Sequence, residues 1–144
     1  MMMDITNNET YLDLFQNDYQ SAQGYHRRAE KFSQTGQPSS LVFHIASMAL
    51  ERYLVALCDL YGISPKNHDY ACLMEAAETV IDFPSVLNQE IRSLDEIFGI
   101  CSLEVNPNGD PEASDARRVL VLCAEVRKLF DTAELSVQVL KTPA

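Results

Sequence analysis

The sequence predicts an all-α protein, an antiparallel bundle of about five helices that forms a single domain over residues 1–144. In several long segments, apolar residues recur at alternating spacings of three and four, as they do on the buried face of a helix. Clusters of Gly, Pro and Asn separate these segments and predict turns. No segment alternates apolar and polar residues as a strand does.

The segment 41–61 predicts the helix around which the others pack. At about 100° per residue its polar side chains fall within an arc of roughly 140°, so most of its circumference is apolar. Small residues such as Ala49 allow neighbouring helices to approach closely. We expect Ser39 or Ser40 to be the N-cap and Gly62 to follow the C-terminus.

A first helix is expected to precede it. The run Thr6-Asn7-Asn8-Glu9 has the pattern of a capping box, which predicts that this helix begins at Thr6. The turn residues Gly36 and Pro38 mark its end. Its expected buried stripe consists of Tyr11, Phe15, Ala22, Tyr25, Ala29 and Phe32.

Three further helices are expected in the second half of the chain. Asn67 is the predicted N-cap of a short third helix, and the fourth covers 85–98. The cluster at 106–111, NPNGDP, predicts a turn. The last helix is expected after Ser114 or Asp115. Its apolar stripe consists of Val119, Cys123, Val126, Phe130, Ala133, Val137 and Leu140.

Composition favours a cytoplasmic globular protein. The N-terminus lacks the basic and apolar regions of a secretory signal, and no uninterrupted apolar stretch reaches the roughly 18 residues that suggest a membrane span. The four cysteines, which form no C-x-x-C pair, are expected to be reduced and mostly buried: Cys58, Cys72, Cys101 and Cys123. The formal net charge of -10 disfavours non-specific nucleic-acid binding.

The sequence contains no recognisable catalytic, cofactor or metal motif. His68 and Cys72 have the i, i+4 spacing of a ligand pair, but a residue at a helix terminus and a core thiol explain them better. His26 and His44 are interpreted as surface or boundary residues. We therefore expect no cofactor, no metal site and no catalytic residues.

Basic residues form two groups in an otherwise acidic chain, near the end of the first helix and near the start of the last. If these helices pack side by side and antiparallel, the groups would form one patch able to bind a nucleotide phosphate. The alternative is that they balance nearby acids such as Glu30 and Asp115. The candidate phosphate-binding residues are Arg27, Arg28, Lys31, Arg117 and Arg118.

The polar arc of the central helix also contains apolar residues. Met48 and Val55 lie there beside Glu51, Arg52 and Asp59. Apolar side chains interleaved with opposite charges are typical of a self-complementary interface, which would make the protein a homodimer. Ordinary packing at the edge of the core is the alternative.

The second and third helices resemble the HEPN family, the higher eukaryotes and prokaryotes nucleotide-binding domain. Members of this family carry a similar A-x-x-A-x-E run, a short link with a glycine, and a helix start that reads T-H-D-L. The matching residues cover about thirty positions. They are Ala46, Ala49, Glu51, Arg52, Tyr53, Leu54, Ala56, Leu57, Gly62, Asn67, His68, Asp69, Tyr70 and Leu73.

The chain departs from the family pattern at three points. Val55 stands where a basic residue is frequent, and Tyr70 replaces the leucine of the helix start. The ribonuclease motif of many members, an Arg and a following His separated by four to six residues, is absent. The resemblance implies a helical bundle, usually dimeric, that acts in a nucleotide- or RNA-linked system or as the partner of a nucleotidyltransferase. Because the ribonuclease motif is absent, we expect a non-catalytic binding or regulatory module. A ribonuclease with a degenerate site and a purely structural dimer are the alternatives.

Overall fold

The computed structural model describes the backbone of residues 2–98 and 111–141 and the side chains of 12–96 and 111–131. These residues form five helices without strands, so the predicted all-α bundle is confirmed. The helices are α1 (Met2–Gln34), α2 (Ser39–Leu60), α3 (Tyr70–Ala77), α4 (Ser85–Phe98) and α5 (Ala113–Lys141). The predicted residues Tyr11, Phe98, Cys101, Ala133, Val137 and Leu140 have side chains outside the described set.

The helix α2 lies at the centre of the bundle. It packs against α1, α3 and α5, while α4 packs against α3 and α5. By length and composition alone α2 could cross a membrane, but 67% of its apolar window is buried by the neighbouring helices. Ala49, which the sequence placed on the buried arc, is fully buried. The apolar circumference of α2 is therefore the core of the bundle.

An aromatic cluster joins the three long helices. Tyr19 of α1 lies 4.7 Å from Phe130 of α5 and 5.9 Å from Tyr53 of α2, measured between ring centroids. Phe15 stacks on Tyr19 at 5.6 Å. Such aromatic pairs contribute about 0.5–1.5 kcal/mol beyond the burial of their area. The predicted stripes of α1 and α5 therefore meet on α2.

Helix boundaries follow the sequence where local signals set them. The range 85–98 of α4 is as predicted, and α5 begins one or two residues before the predicted N-caps. The prediction that α1 begins at Thr6 is wrong. The helix begins at Met2, because the residues before Thr6 include no helix breaker. The N-cap of α2 is Pro38, not Ser39 or Ser40. Its carbonyl accepts the N–H of Leu41 at 3.0 Å, and no side chain caps the helix.

Candidate functional site

The turn after α2 brings a loop back against that helix. Gly62 has a φ of 68°, a conformation that glycine adopts without strain. Its N–H donates to the carbonyl of Asp59 at 3.0 Å, and the N–H of Ile63 donates to that of Cys58 at 2.9 Å. These are the two bonds of a Schellman motif, so the predicted role of Gly62 is confirmed. The chain reverses here and reaches the start of α3.

The N-terminus of α3 is held by two aspartates. Asp69 is its N-cap, and its carboxylate accepts the N–H of Cys72 at 2.7 Å. Asp95 of α4 accepts the N–H of Tyr70 and that of Ala71, each at 2.9 Å. The prediction that Asn67 caps this helix is wrong, because the two aspartates satisfy these N–H groups. The Asn67 amide oxygen instead accepts the N–H of His68 at 2.9 Å.

A cleft of about 470 Å³ lies where this helix start meets α2 and α4. Its volume is within the range of sites for small ligands. The wall from α2 consists of residues one helical turn apart, and the opposite wall is the loop before α3. The cleft residues are His44, Ser47, Met48, Glu51, Asn67, His68, Asp69, Tyr70 and Asp95.

Glu51 is oriented by an ion-pair network across two helices. One carboxylate oxygen, Oε1, accepts from Arg52 Nη2 at 2.8 Å and from Nε at 3.1 Å. Arg52 Nη1 also donates to Asp18 of α1 at 3.1 Å. The other oxygen of Glu51, Oε2, lies 3.7 Å from Nδ1 of His68. The arginine therefore holds Glu51 so that its second oxygen is on the side of the cleft.

Tyr70 and Ser47 form the buried end of the cleft. The Tyr70 hydroxyl donates to the backbone carbonyl of Ser47 at 2.8 Å. Burial raises the pKa of Tyr70 far above its ordinary value, so this phenol stays protonated. The side chain of Ser47 is 4% exposed, and its Oγ has no hydrogen-bond partner among the described residues. A buried hydroxyl without a partner costs free energy unless a ligand supplies one.

Asp69 contributes a permanent negative charge. Hydrogen bonds from the thiol and the backbone N–H of Cys72 lower the pKa of its carboxyl group below the ordinary value. Asp69 is therefore ionised at neutral pH. The carboxylates of Glu51 and Asp95 line the same cleft, whereas its described lining includes no lysine or arginine. The cleft is consequently an acidic site.

His26 is not a surface residue, which corrects the interpretation from the sequence. It is 6% exposed in the interface between α1 and α2. Its Nδ1 lies 2.9 Å from the Tyr53 hydroxyl, and its Nε2 lies 2.9 Å from the carboxylate of Glu30. Burial lowers the pKa of His26, although the charge of Glu30 opposes this effect. The neutral imidazole thus links the two helices. His44, in contrast, is exposed as expected.

The candidate phosphate-binding residues do not all face one way. Arg27, Arg28 and Lys31 are exposed on α1, and Arg117 is exposed on α5. Arg117 lines a shallow cleft of about 180 Å³ together with residues 33 and 37 at the end of α1. Arg118 instead reaches α4, where it donates to Ser93 Oγ at 3.1 Å and lies 3.7 Å from the Glu90 carboxylate. A nucleotide site at these residues stays a prediction.

The predicted interface residues of α2 differ in exposure. Met48 is 42% exposed, whereas Val55 is only 8% exposed and packs within the chain. Glu51 and Arg52 are half-buried and bonded to each other. Asp59 is also half-buried, and burial together with the neighbouring Asp18 carboxylate raises its pKa to about 8. Of these five residues, Met48 is the one that offers an apolar surface to a partner.

The pair His68 and Cys72 does not lie on one helix, because α3 begins at Tyr70. Within residues 12–96 and 111–131, no group of three or more His, Cys, Asp or Glu side chains is arranged to hold a metal ion. Cys58 and Cys123 are buried free thiols, as predicted, and Cys72 is half-buried.

Sequence reasoning singled out part of this cleft without recognising it as a cleft. The resemblance already included Glu51 and the loop residues 67–70. The spacing i, i+3, i+7 places His44, Ser47 and Glu51 on one face of the helix. This spacing was a signal that the three residues share a wall. Asp95 gave no such signal, because only the packing of α4 brings it to the start of α3.

Comparisons of the chain with protein-family models, with curated proteins and with solved structures found no match. The resemblance to the HEPN family therefore stays a prediction that depends on the residues quoted above.

Proposed function

We propose that this protein is a non-catalytic binding module of the HEPN type and that the cleft between α2, α3 and α4 is its recognition site. One observation carries the proposal: Glu51 of α2 and residues 67–70 before and at the start of α3, which belong to the resemblance, line the same cleft. Glu51 and His68 come from different elements and approach to 3.7 Å. A well-formed cleft with a few convergent polar groups is the default candidate for a binding site.

The charges of the cleft support binding rather than phosphodiester cleavage. General acid-base cleavage of RNA requires a proton-transfer group beside a cation that stabilises the developing negative charge. His68 and Glu51 could transfer protons, but the described lining supplies three carboxylates and no arginine or lysine. Arg52, the nearest arginine in the chain, is bonded to Glu51 and Asp18.

Two further parts of the proposal concern partners. Met48 is an exposed residue of the cleft wall and is also the candidate anchor of a homodimer interface. The formal net charge of -10 favours a protein partner with a basic face, and the resemblance implies a nucleotidyltransferase as one such partner. The proposed site for a nucleotide phosphate is instead at the exposed residues Arg27, Arg28, Lys31 and Arg117, outside the cleft.

A thermal-shift screen of the purified chain tests the recognition site. The library contains cationic, neutral and anionic small molecules, including ATP and GTP. A ligand that binds only the folded state at 100 times its dissociation constant adds about 2.7 kcal/mol to the free energy of unfolding. We expect ligands that raise the melting temperature of the wild type and of Val121→Trp but not that of Met48→Trp. Val121 is the matched control because it is exposed on α5, away from the cleft.

The same protein is incubated with labelled RNA, and we expect the RNA to stay intact. Cleavage that is lost in His68→Ala would contradict the proposal and favour a ribonuclease. Ligands that stabilise the wild type and Met48→Trp equally would place the recognition site elsewhere. If ATP or GTP raises the melting temperature of the wild type but not that of the double variant Arg27→Ala/Arg117→Ala, the recognition site lies at the basic residues.

A further inference from the structure

The hydrogen bonding of the cleft, as well as its charge, disfavours an anionic ligand. A helix N-terminus normally offers free N–H groups to an anion. At α3 these groups are already used: Asp95 accepts from Tyr70 and Ala71, and Asp69 accepts from Cys72. A phosphate or carboxylate ligand would find none of these three backbone N–H groups free and would face three protein carboxylates.

Two acceptor atoms at the cleft have no hydrogen-bond partner among the described residues. Glu51 Oε2 has His68 Nδ1 as its neighbour at 3.7 Å, which is longer than a hydrogen bond. Ser47 Oγ is buried and has no partner among the described residues, although it lies one helical turn from Glu51 in the same wall. Both atoms can accept hydrogen bonds, so the matching ligand is one that donates them.

The remaining wall of the cleft is suited to a hydrocarbon stem. Met48 is 42% exposed and presents its thioether side chain between His44 and Glu51 on the face of α2. Methionine adapts its shape to apolar groups of different form, and the imidazole faces of His44 and His68 add flat surfaces. A ligand with a cationic head and a short aliphatic chain would use both the acidic and the apolar part of the cleft.

We propose that the cleft binds an organic cation, a guanidinium or primary ammonium group on a short aliphatic stem. The head donates to Glu51 Oε2, and the stem lies along Met48. The Ser47 Oγ has less than 1 Å² of accessible surface, and rotation of this side chain brings it to the head as a second acceptor. The cation could belong to a free small molecule or to an arginine or lysine side chain of a partner protein. This inference rests on the proposed function, because it names the ligand class of the same recognition site.

Isothermal titration of the purified chain with butylguanidine tests this inference. Butylurea is the matched ligand, since it has nearly the same shape and no charge, and AMP is the anionic comparison. A charge-assisted hydrogen bond contributes about 1.5–3 kcal/mol, which corresponds to a roughly 10- to 100-fold change in affinity. We therefore expect butylguanidine to bind at least about tenfold more tightly than butylurea, with no binding of AMP in the cleft.

Two variants locate the binding. Glu51→Gln should weaken butylguanidine binding about tenfold, whereas Glu75→Gln, which removes an exposed charge on α3 outside the cleft, should leave it unchanged. Ser47→Ala should weaken binding by a smaller factor without harming the fold, because it removes a hydroxyl that has no partner among the described residues. Circular dichroism checks that each variant is folded.

The peptide Gly-Arg-Gly distinguishes the two sources of the cation. Tighter binding of the peptide than of butylguanidine indicates a partner side chain, and weaker binding indicates a free small molecule. Equal affinity for butylguanidine and butylurea, or no effect of Glu51→Gln and Ser47→Ala, would overturn the inference. A neutral or anionic ligand whose binding Met48→Trp abolishes would reject the cation but keep the recognition site. No binding of any ligand class would reject both.

Discussion

The carboxylate of Asp95 on α4 accepts the backbone N–H of Tyr70 at 2.9 Å and thereby fixes the first residue of α3. Its second oxygen accepts the N–H of Ala71 at the same distance. One side chain from a different helix thus holds one wall of the cleft in place. Because Asp69 caps the same helix locally, two carboxylates share the N–H groups of its first turn.

We expect Asp95→Ala to lower the free energy of unfolding by about 1–2 kcal/mol, the usual effect of losing a helix cap. Amide hydrogen exchange should become faster at residues 70–72 in particular. Glu96→Ala is the control, because Glu96 is the exposed neighbour on the same helix. Unchanged exchange at Tyr70 and Ala71 in Asp95→Ala would show that Asp95 does not hold the start of α3.

Ala49 tests the packing of the central helix. It is fully buried where α2 meets its neighbours, so Ala49→Leu should overpack the core and cost about 1–3 kcal/mol. Chemical denaturation measures the loss. Met48→Leu, at the exposed position before it, should change stability by less than about 0.5 kcal/mol. Equal stability of Ala49→Leu and the wild type would mean that this face of α2 is not buried.

Asp59 predicts a dependence of stability on pH. Burial, together with the adjacent Asp18 carboxylate, raises its pKa from 3.8 to about 8, so the folded state holds a proton that the unfolded chain releases. The contribution of Asp59 to stability is fully present below pH 3.8 and is lost as the pH rises through about 8. Asp59→Asn mimics the protonated form and should therefore gain stability relative to the wild type between about pH 5 and about pH 9.

Urea denaturation at the two pH values measures this difference. Asp82→Asn, which changes an exposed aspartate, should show a difference from the wild type that does not vary with pH. If the difference in stability between Asp59→Asn and the wild type is also independent of pH, Asp59 titrates normally in the folded protein.

The oligomeric state tests whether Met48 also takes part in a homodimer contact. We expect light scattering at micromolar concentration to give twice the 16.2 kDa mass of one chain. Met48→Glu should produce monomers, because it places a charge in the proposed contact, whereas Val121→Glu on α5 should not. A wild-type monomer would reject the homodimer, and a dimer that survives Met48→Glu would place its interface elsewhere. Val55 is unsuitable for this test because it is buried within the chain.

Local signals in the sequence predicted most of the fold. The glycine after α2 and the proline before α4 act on the backbone of their own residues, so the end of α2 and the bounds of α4 could be predicted. The start of α3 could not. By residue type, Asn67 is as good an N-cap as Asp69. The N–H groups of Tyr70 and Ala71 donate to Asp95, which belongs to another helix.

His26 shows a signal that was present but not used. It lies four residues after Ala22 and three before Ala29, both fully buried, so it belongs to the buried face of α1. Glu30, at i+4, supplies a partner for its second nitrogen. The Tyr53 hydroxyl could not have been predicted as its other partner, because that contact depends on how α1 packs on α2.

An amide chemical-shift titration of the isotopically labelled chain tests the recognition site most directly. The titrant is the ligand that gives the largest thermal shift in the screen. We predict that the largest changes occur at residues 44–51, 67–72 and 95, which surround the cleft. Changes centred on Arg27, Arg28 and Arg117 would contradict this assignment and place the binding site at the basic residues instead.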